Sequence, residues 1–189
     1  MLKKNDVKKI LSRYVLLKKS GSILKKLSDE IRTKSKTAGA ILRRRNDKDA
    51  DILIKKSEAL LYQAKKIIKV NPELAHLGFY REAVEEYVEA KIYYCYLTSK
   101  VLKFPKTVDI GIEEQIGGIA DFTGELVRHA VTIANDDVYK EIDKYKKLLQ
   151  DFTEIFANIS FSGKLRQKHD DLERNLKRLE EILYRLRIH

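Results

Sequence analysis

The chain of 189 residues is 43% hydrophobic and 35% charged, with two prolines and eight glycines, which suits one domain, residues 1–189, with long stretches free of helix breakers. No run approaches the ~18 apolar residues of a membrane span, no secretory leader is expected, and the single cysteine, Cys95, excludes an internal disulfide and fits a reducing, cytoplasmic setting. The net charge of +11 is uneven: residues 1–70 hold 21 Lys/Arg against 7 Asp/Glu, and the remainder 18 against 21. The basic half suits phosphates or an acidic membrane surface and the acidic half suits a cation, unless the lysines are merely solvated.

Residues 4–19 and 22–45 read as helices separated by a break near Ser20-Gly21-Ser22, with Ile10, Tyr14, Leu17, Leu24, Leu27 and Ile31 keeping a helical step. Arg32, Lys34, Lys36 and Arg43-Arg44-Arg45 form the densest basic segment. It suits a phosphate backbone, since arginine donates paired hydrogen bonds to phosphate; equally, Arg43–Arg45 suit the negative C-terminal end of a helix dipole. Aromatic residues are not interleaved there, which disfavours base stacking. A third helix should begin at Asp47–Asp51 and stop at Asn71-Pro72, because the residue before proline is steered away from helical geometry. The fourth, from Pro72 or Phe79 to Val101, is apolar over most of its circumference and so reads as interior. Glu82, Glu85, Glu86 and Glu89 share its remaining strip and repel one another, requiring basic side chains or a divalent cation in compensation.

After a turn at Phe104-Pro105-Lys106 comes the helix containing GGIADFTGELVR, residues 117–128. At about 100° per residue, Asp121, Glu125 and Arg128 align with Glu114 and Thr132, while Ile116, Ile119, Phe122, Leu126 and Ala130 take the far side. Gly117, Gly118 and Gly124 border the acidic stripe, and their helical cost implies that a partner helix or a ligand approaches the backbone there. The helix should end near Asn135-Asp136-Asp137. Two apolar seams follow, Val138–Ile159 and Leu165–Leu186, and predict a long antiparallel C-terminal pair, or one helix offered to another subunit. His169, on the second seam, reads as a packed, hydrogen-bonded core residue. With no convincing strand and about seven helices, the expected fold is an all-α helical bundle.

CxxC, HExxH, Walker, GxGxxG and GxSxG motifs are absent. What remains is carboxylate chemistry. Glu86 and Glu89 are one turn apart on the fourth helix, Asp121 and Glu125 one turn apart on the fifth. If the two helices face each other, four hard oxygen donors converge, suited to Mg²⁺ or Mn²⁺. Such an ion lowers the pKa of a bound water and neutralises charge at a phosphorus under attack. A di-iron bundle would need two Glu-x-x-His pairs, and only Glu73 to His76 has that spacing.

IADFTGELVRHAVTIANDD and EEYVEA, with SKTAGAILRRR, the ISFSG turn and LERNLKRLEEILYRLRI in the same order, resemble the translin superfamily, and within it the Trax (translin-associated factor X) branch, over almost the whole chain. The resemblance implies an all-α bundle of about seven helices, a closed octamer, and a Mg²⁺-dependent endoribonuclease acting on single-stranded RNA. It places the catalytic, metal-holding acids at Glu86, Glu89, Asp121 and Glu125. The short loop from Leu102 to Gly111 makes the chain similar to a compact archaeal or ancestral-type, homo-oligomeric member. Three functions stay open: this nuclease, with Arg32, Lys34, Lys36, Arg43, Arg44, Arg45 and Arg128 contacting nucleic acid; a non-catalytic single-stranded DNA or RNA binder of translin type, sequence-specific DNA binding included; and a structural helical oligomer. Arg128 itself either steadies phosphate or is an i,i+3 partner of Glu125.

Overall fold

Long breaker-free segments with helical periodicity leave the chain one economical solution, helix against helix, and the computed structural model shows it. It describes residues 3–106, 108, 110–134 and 138–188. Among these there are six α-helices, one short 3₁₀ segment (Pro72–His76) and no strand: α1 (Lys4–Leu42), α2 (Asp47–Val70), α3 (Gly78–Leu97), α4 (Ile112–Ile133), α5 (Tyr139–Ala157) and α6 (Gly163–Ile188). The all-α class stands, with six long helices in place of about seven.

The missing boundary is the break expected at residues 20–22. α1 runs through it as one helix of 39 residues, about 58 Å long. Ser22 Oγ donates back to the Lys18 carbonyl at 3.1 Å, and Gly21 lies against the 3₁₀ segment, where a Cβ would sit 3.7 Å from Leu74. A helical glycine costs only about 1 kcal/mol, which the Gly21–Leu74 contact and the packing of Leu17, Leu24 and Ile31 on the core outweigh. The other boundaries have local causes. Asn46 caps α2, its side chain accepting from the Asp49 amide at 3.3 Å, with Asp47 and Asp49 in the positively polarised first turn. Asn71-Pro72 ends it. The turn expected at 135–137 lies outside the described residues.

α2 returns antiparallel along α1, with Ser35 facing Ser57 and Arg13 facing Asn71 and Glu73. α3 runs parallel to α1, as the pairs Arg32–Glu82 and Lys36–Glu86 record. α4 runs parallel to α3, from Arg81–Glu114 at one end to the Tyr93–His129 ring contact at the other. α6 lies along α4, with Lys168 at Asp121 and Asn175 at Thr123, and α5 is antiparallel to α6, with Tyr139 against Arg187 and Phe156 stacked on His169. Four parallel helices, α1, α3, α4 and α6, therefore enclose one space, and α2 and α5 are outer braces.

The core is centred on α3, whose Tyr87, Val88 and Tyr93 are fully buried with Phe122, Leu126, Ile142, Tyr145 and Leu149. The expected antiparallel C-terminal pair is present, Leu172, Leu179 and Leu183 being buried. His169 is packed between Phe156 and Phe161 as expected, but its buried Nε2 has no hydrogen-bond partner; the Glu173 carboxylate one turn on stands 3.8 Å away, beyond hydrogen-bond reach.

The glycines of α4 explain its proximity to α3. A Cβ on Gly117 would fall 2.7 Å from the Glu85 carboxyl carbon, and one on Gly118 would fall 2.5 Å from Val88 Cγ1 and 3.0 Å from the Glu89 backbone nitrogen. Gly124 is looser, a Cβ there meeting only Asn175 at 3.5 Å. Gly118→Ala should therefore lower stability by about 1–3 kcal/mol through overpacking, whereas Gly124→Ala should be neutral or stabilising by up to about 1 kcal/mol. Urea midpoints at one protein concentration decide it; equal loss in both variants would contradict the assigned close approach.

Candidate metal and nucleic-acid site

α3 turns its acidic strip, and α4 its Asp121–Glu125 stripe, into the space among the four parallel helices. A pocket of about 860 Å³ opens there, lined by Glu86 and Glu89 of α3, Asp121 and Glu125 of α4, Lys36, Gly39 and Arg43 of α1, Arg128 of α4, and Asp171, Arg174, Asn175, Lys177, Arg178 and Glu181 of α6. All four acids singled out in the sequence thus border one cavity. Of the seven basic candidates, Lys36, Arg43 and Arg128 border it too. Arg32 pairs with Glu82 at 3.7 Å and Lys34 with Glu30 at 3.8 Å, Arg44 is exposed, and Arg45 grips both oxygens of Glu141 at 2.9 Å. The basic segment is therefore no single strip: α1 turns Lys36 and Arg43 inward and its end carries the other arginines away.

The two means of compensation posed for the α3 glutamates resolve into ion pairs for three of them. Arg32 meets Glu82, Lys36 meets Glu86 at 3.0 Å, and Lys164 and Lys168 meet Glu85 at 2.6 and 2.8 Å. Among the described residues Glu89 has no cation at ion-pair distance. Burial pushes its carboxyl up to about 8, reinforced by the charges of Asp121, Glu125 and Glu86. Burial likewise raises Asp121 to about 6, against the contact with Lys168. Burial would also raise Glu85, but its two lysines outweigh that and hold it below the usual carboxylate range. Glu125, 4% exposed, is clamped by Arg43 and by Arg128, so Arg128 is its i,i+3 partner as well as a lining residue.

The oxygen-only donor set and the unneutralised Glu89 suit a hard divalent cation. Yet among the described residues no three Asp, Glu, His or Cys side chains stand close enough to hold one ion as placed. Lys36, Lys168, Arg43 and Arg128 occupy the carboxylates instead, so the donors fit such an ion in kind and would have to release these cations to take it.

The Translin family model matches residues 22–189. The chain belongs to the Translin family. Within 116 residues it is 30% identical to Uncharacterized protein MJ0175 of Methanocaldococcus jannaschii, a match spanning 57% of this chain and 51% of that protein, about half the relative's length. The fold is similar to apo-NeC3PO, with a TM-score of 0.82, 20% identity and 98% of each chain covered. It is also similar to AfC3PO, at 0.83 and 19% over 96% of this chain and 97% of that one, and to AfC3PO in complex with duplex RNA, at 0.81 and 20% over 96% of each.

Inspection of the sequence missed the wall that α6 contributes to this Translin-family pocket, and it missed Glu85 with Lys168. A signal was present: Lys164, Lys168, Asp171, Asn175 and Arg178 recur every three or four residues beside the apolar seam. The raised proton affinity of Glu89 is directly measurable. A carboxyl whose folded pKa is raised from near 4.5 to about 8 binds its proton more tightly in the folded state, so stability falls as pH rises between those values. In chelator, Glu89→Gln should melt with wild type near pH 4.5 and higher by about 3 °C or more at pH 8.5. A pH-independent difference in differential scanning calorimetry would show that neither burial nor the neighbouring acids raise Glu89.

Proposed function

We propose that this Translin-family protein is a Trax-like, Mg²⁺-dependent endoribonuclease acting on single-stranded RNA. The observation that carries the reading is the meeting of Glu86, Glu89, Asp121 and Glu125 at one pocket whose other walls hold more bases, Lys36, Arg43, Arg128, Arg174, Lys177 and Arg178, than acids, Asp171 and Glu181. These four acids would hold Mg²⁺ or Mn²⁺, which supplies charge neutralisation at the scissile phosphate and a more acidic water. Arg43 and Arg128 orient Glu125. Lys36, Arg174, Lys177 and Arg178 surround the acids with positive charge that draws a phosphate backbone toward them. Rings lining the pocket are few, Tyr93 being the aromatic one, so recognition rests on the backbone more than on base stacking.

A homo-oligomer, octameric by the family's resemblance, belongs to the same reading. The accessible surface is 12027 Å², against roughly 9,300 Å² for a compact monomer of this mass. The surplus exceeds the ~800 Å² per partner of a standard interface. Ile10, Leu11, Tyr14, Val15 and Leu16 stand 58–64% exposed on the first half of α1, where a second copy would cover them. No helix among the described residues is long and apolar enough to cross a membrane.

One observation favours a second reading, the non-catalytic single-stranded nucleic-acid binder: the acids are already engaged by tethered cations. Purified protein incubated with end-labelled single-stranded RNA, duplex RNA and single-stranded DNA, with Mg²⁺, Mn²⁺ or chelator, separates the two. Metal-dependent internal cleavage of single-stranded RNA is expected, reduced at least ~100-fold in Asp121→Ala and Glu86→Ala with the fold intact. Binding that weakens steeply with salt and yields no product in any lane would assign the protein to the binding class. For assembly, Leu11→Asp with Val15→Asp should lower the molar mass measured by light scattering; an unchanged mass would place the subunit contact elsewhere.

A further inference from the structure

Lys168 lies between two helices that are not its own. Its side chain is 15% exposed, and its ammonium is 2.8 Å from Glu85 Oε1 of α3 while contacting both carboxylate oxygens of Asp121 on α4. Glu85 is more deeply buried, 8% exposed at the side chain, and its other oxygen accepts from Lys164 at 2.6 Å. Space for Glu85 exists because Gly117 has no Cβ. Glu85 and Lys168 are largely withdrawn from water while Asp121 keeps 29% of its side chain exposed at the pocket. Such a partly buried ionic group is a poor device for stability, since apolar side chains of similar volume commonly serve as well or better. What distinguishes the arrangement is that the ammonium covers both oxygens of Asp121, the atoms that a divalent ion would need.

Resting on the assignment of Asp121 as a metal donor, we infer that Lys168 is a tethered counter-ion for Asp121 that a divalent cation displaces, and that Glu85 is the site to which its ammonium withdraws. An ammonium and a divalent cation compete for the same lone pairs, so the ion enters only as Lys168 leaves. Departure breaks the Asp121 contacts and keeps the Glu85 contact already made, so the charge never crosses an apolar gap unpaired. Lys164 relaxes into solvent as this happens, its side chain being 55% exposed. Glu85 and Lys168 are thus positioning residues: they set how readily Asp121 is released to an ion without contacting substrate.

The inference fixes signs that a merely structural role does not. Mn²⁺ is titrated into the full-length protein and followed by the electron paramagnetic resonance of free Mn²⁺, beside thermal melts in chelator. Lys168→Met, lacking the competitor, should bind Mn²⁺ at least threefold more tightly than wild type. Lys168→Gln gives the same test should the methionine variant fold poorly, and Lys168→Arg, which keeps the charge, should stay near wild type. Glu85→Gln removes the place of withdrawal and should bind at least threefold more weakly. Equal or weaker binding by both Lys168→Met and Lys168→Gln, with melting cooperative, overturns the inference and leaves the metal assignment standing. Wild-type titrations that coincide with those of Asp121→Ala overturn both together.

Discussion

The approach of α4 to α3 across Gly117 and Gly118 is the contact on which the rest depends. Two helices carrying ordinary side chains there would stand further apart, because the Glu85 carboxyl occupies the position a Cβ on Gly117 would take, and Val88 with the Glu89 backbone the position of one on Gly118. At the separation the glycines permit, the acidic strip of α3 and the acidic stripe of α4 share one cavity, and burial, reinforced by the neighbouring acids, raises Glu89. The apolar cost is covered on the opposite sides of the same helices, where Tyr93 and Tyr96 pack on Phe122. The absence of two Cβ atoms thus lets the four carboxylates border one cavity.

Bringing the acids together creates a debt of charge that the bundle settles with side chains from the surrounding helices. α1 supplies Lys36 and Arg43, α4 supplies Arg128, and α6 supplies Lys164 and Lys168. Removing one partner of such a buried pair leaves an uncompensated charge and is far more damaging than the pair is beneficial. The pocket is therefore held together by the same ionic contacts that any incoming cation must displace. Affinity for an ion and stability of the ion-free bundle pull against each other in this geometry, and Glu89, the acid without a close cation, marks where the balance is least complete.

The fold was legible wherever one periodicity governed a long segment. The seams at Val138–Ile159 and Leu165–Leu186 became the antiparallel α5–α6 pair, and the wide apolar circumference of residues 79–101 became the interior helix α3. Local chemistry misled at Ser20-Gly21-Ser22, because a breaker's cost of about 1 kcal/mol is small beside the contact of Gly21 with Leu74 and the burial of Leu24 and Ile31 just beyond it. For the pocket, the acids stood out because like charges one turn apart on two helices are conspicuous. Glu85 did not stand out from Glu82, Glu86 and Glu89: only the absence of a Cβ at Gly117 distinguishes the glutamate that goes inward beneath α4 from those that border the cavity. Lys168 was hidden for a similar reason. A lysine beside an apolar seam resembles a solvated one until the neighbouring helices are seen to close over it.

The uneven charge of the two halves takes on a different meaning in three dimensions. A surplus of bases in residues 1–70 and of acids thereafter suggests two surfaces awaiting two partners. Much of each half instead meets the other: Arg32 with Glu82, Lys36 with Glu86, Arg43 with Glu125, Arg45 with Glu141 and Lys91 with Glu58. Such pairs between distant segments favour one register of α1 along α3 and α4, since sliding α1 by a turn would set Lys36 and Arg43 against different neighbours. Several charges of the second half of α1 and its end are thus paired across the molecule, and long-range attraction for polyanions rests more on the lysines of the first half of α1, the outer face of α2 and the α6 rim of the pocket. Of these, only Arg174, Lys177 and Arg178 of α6 border the acids' pocket, so a phosphate backbone attracted by the wider surface meets the carboxylates from the α6 side.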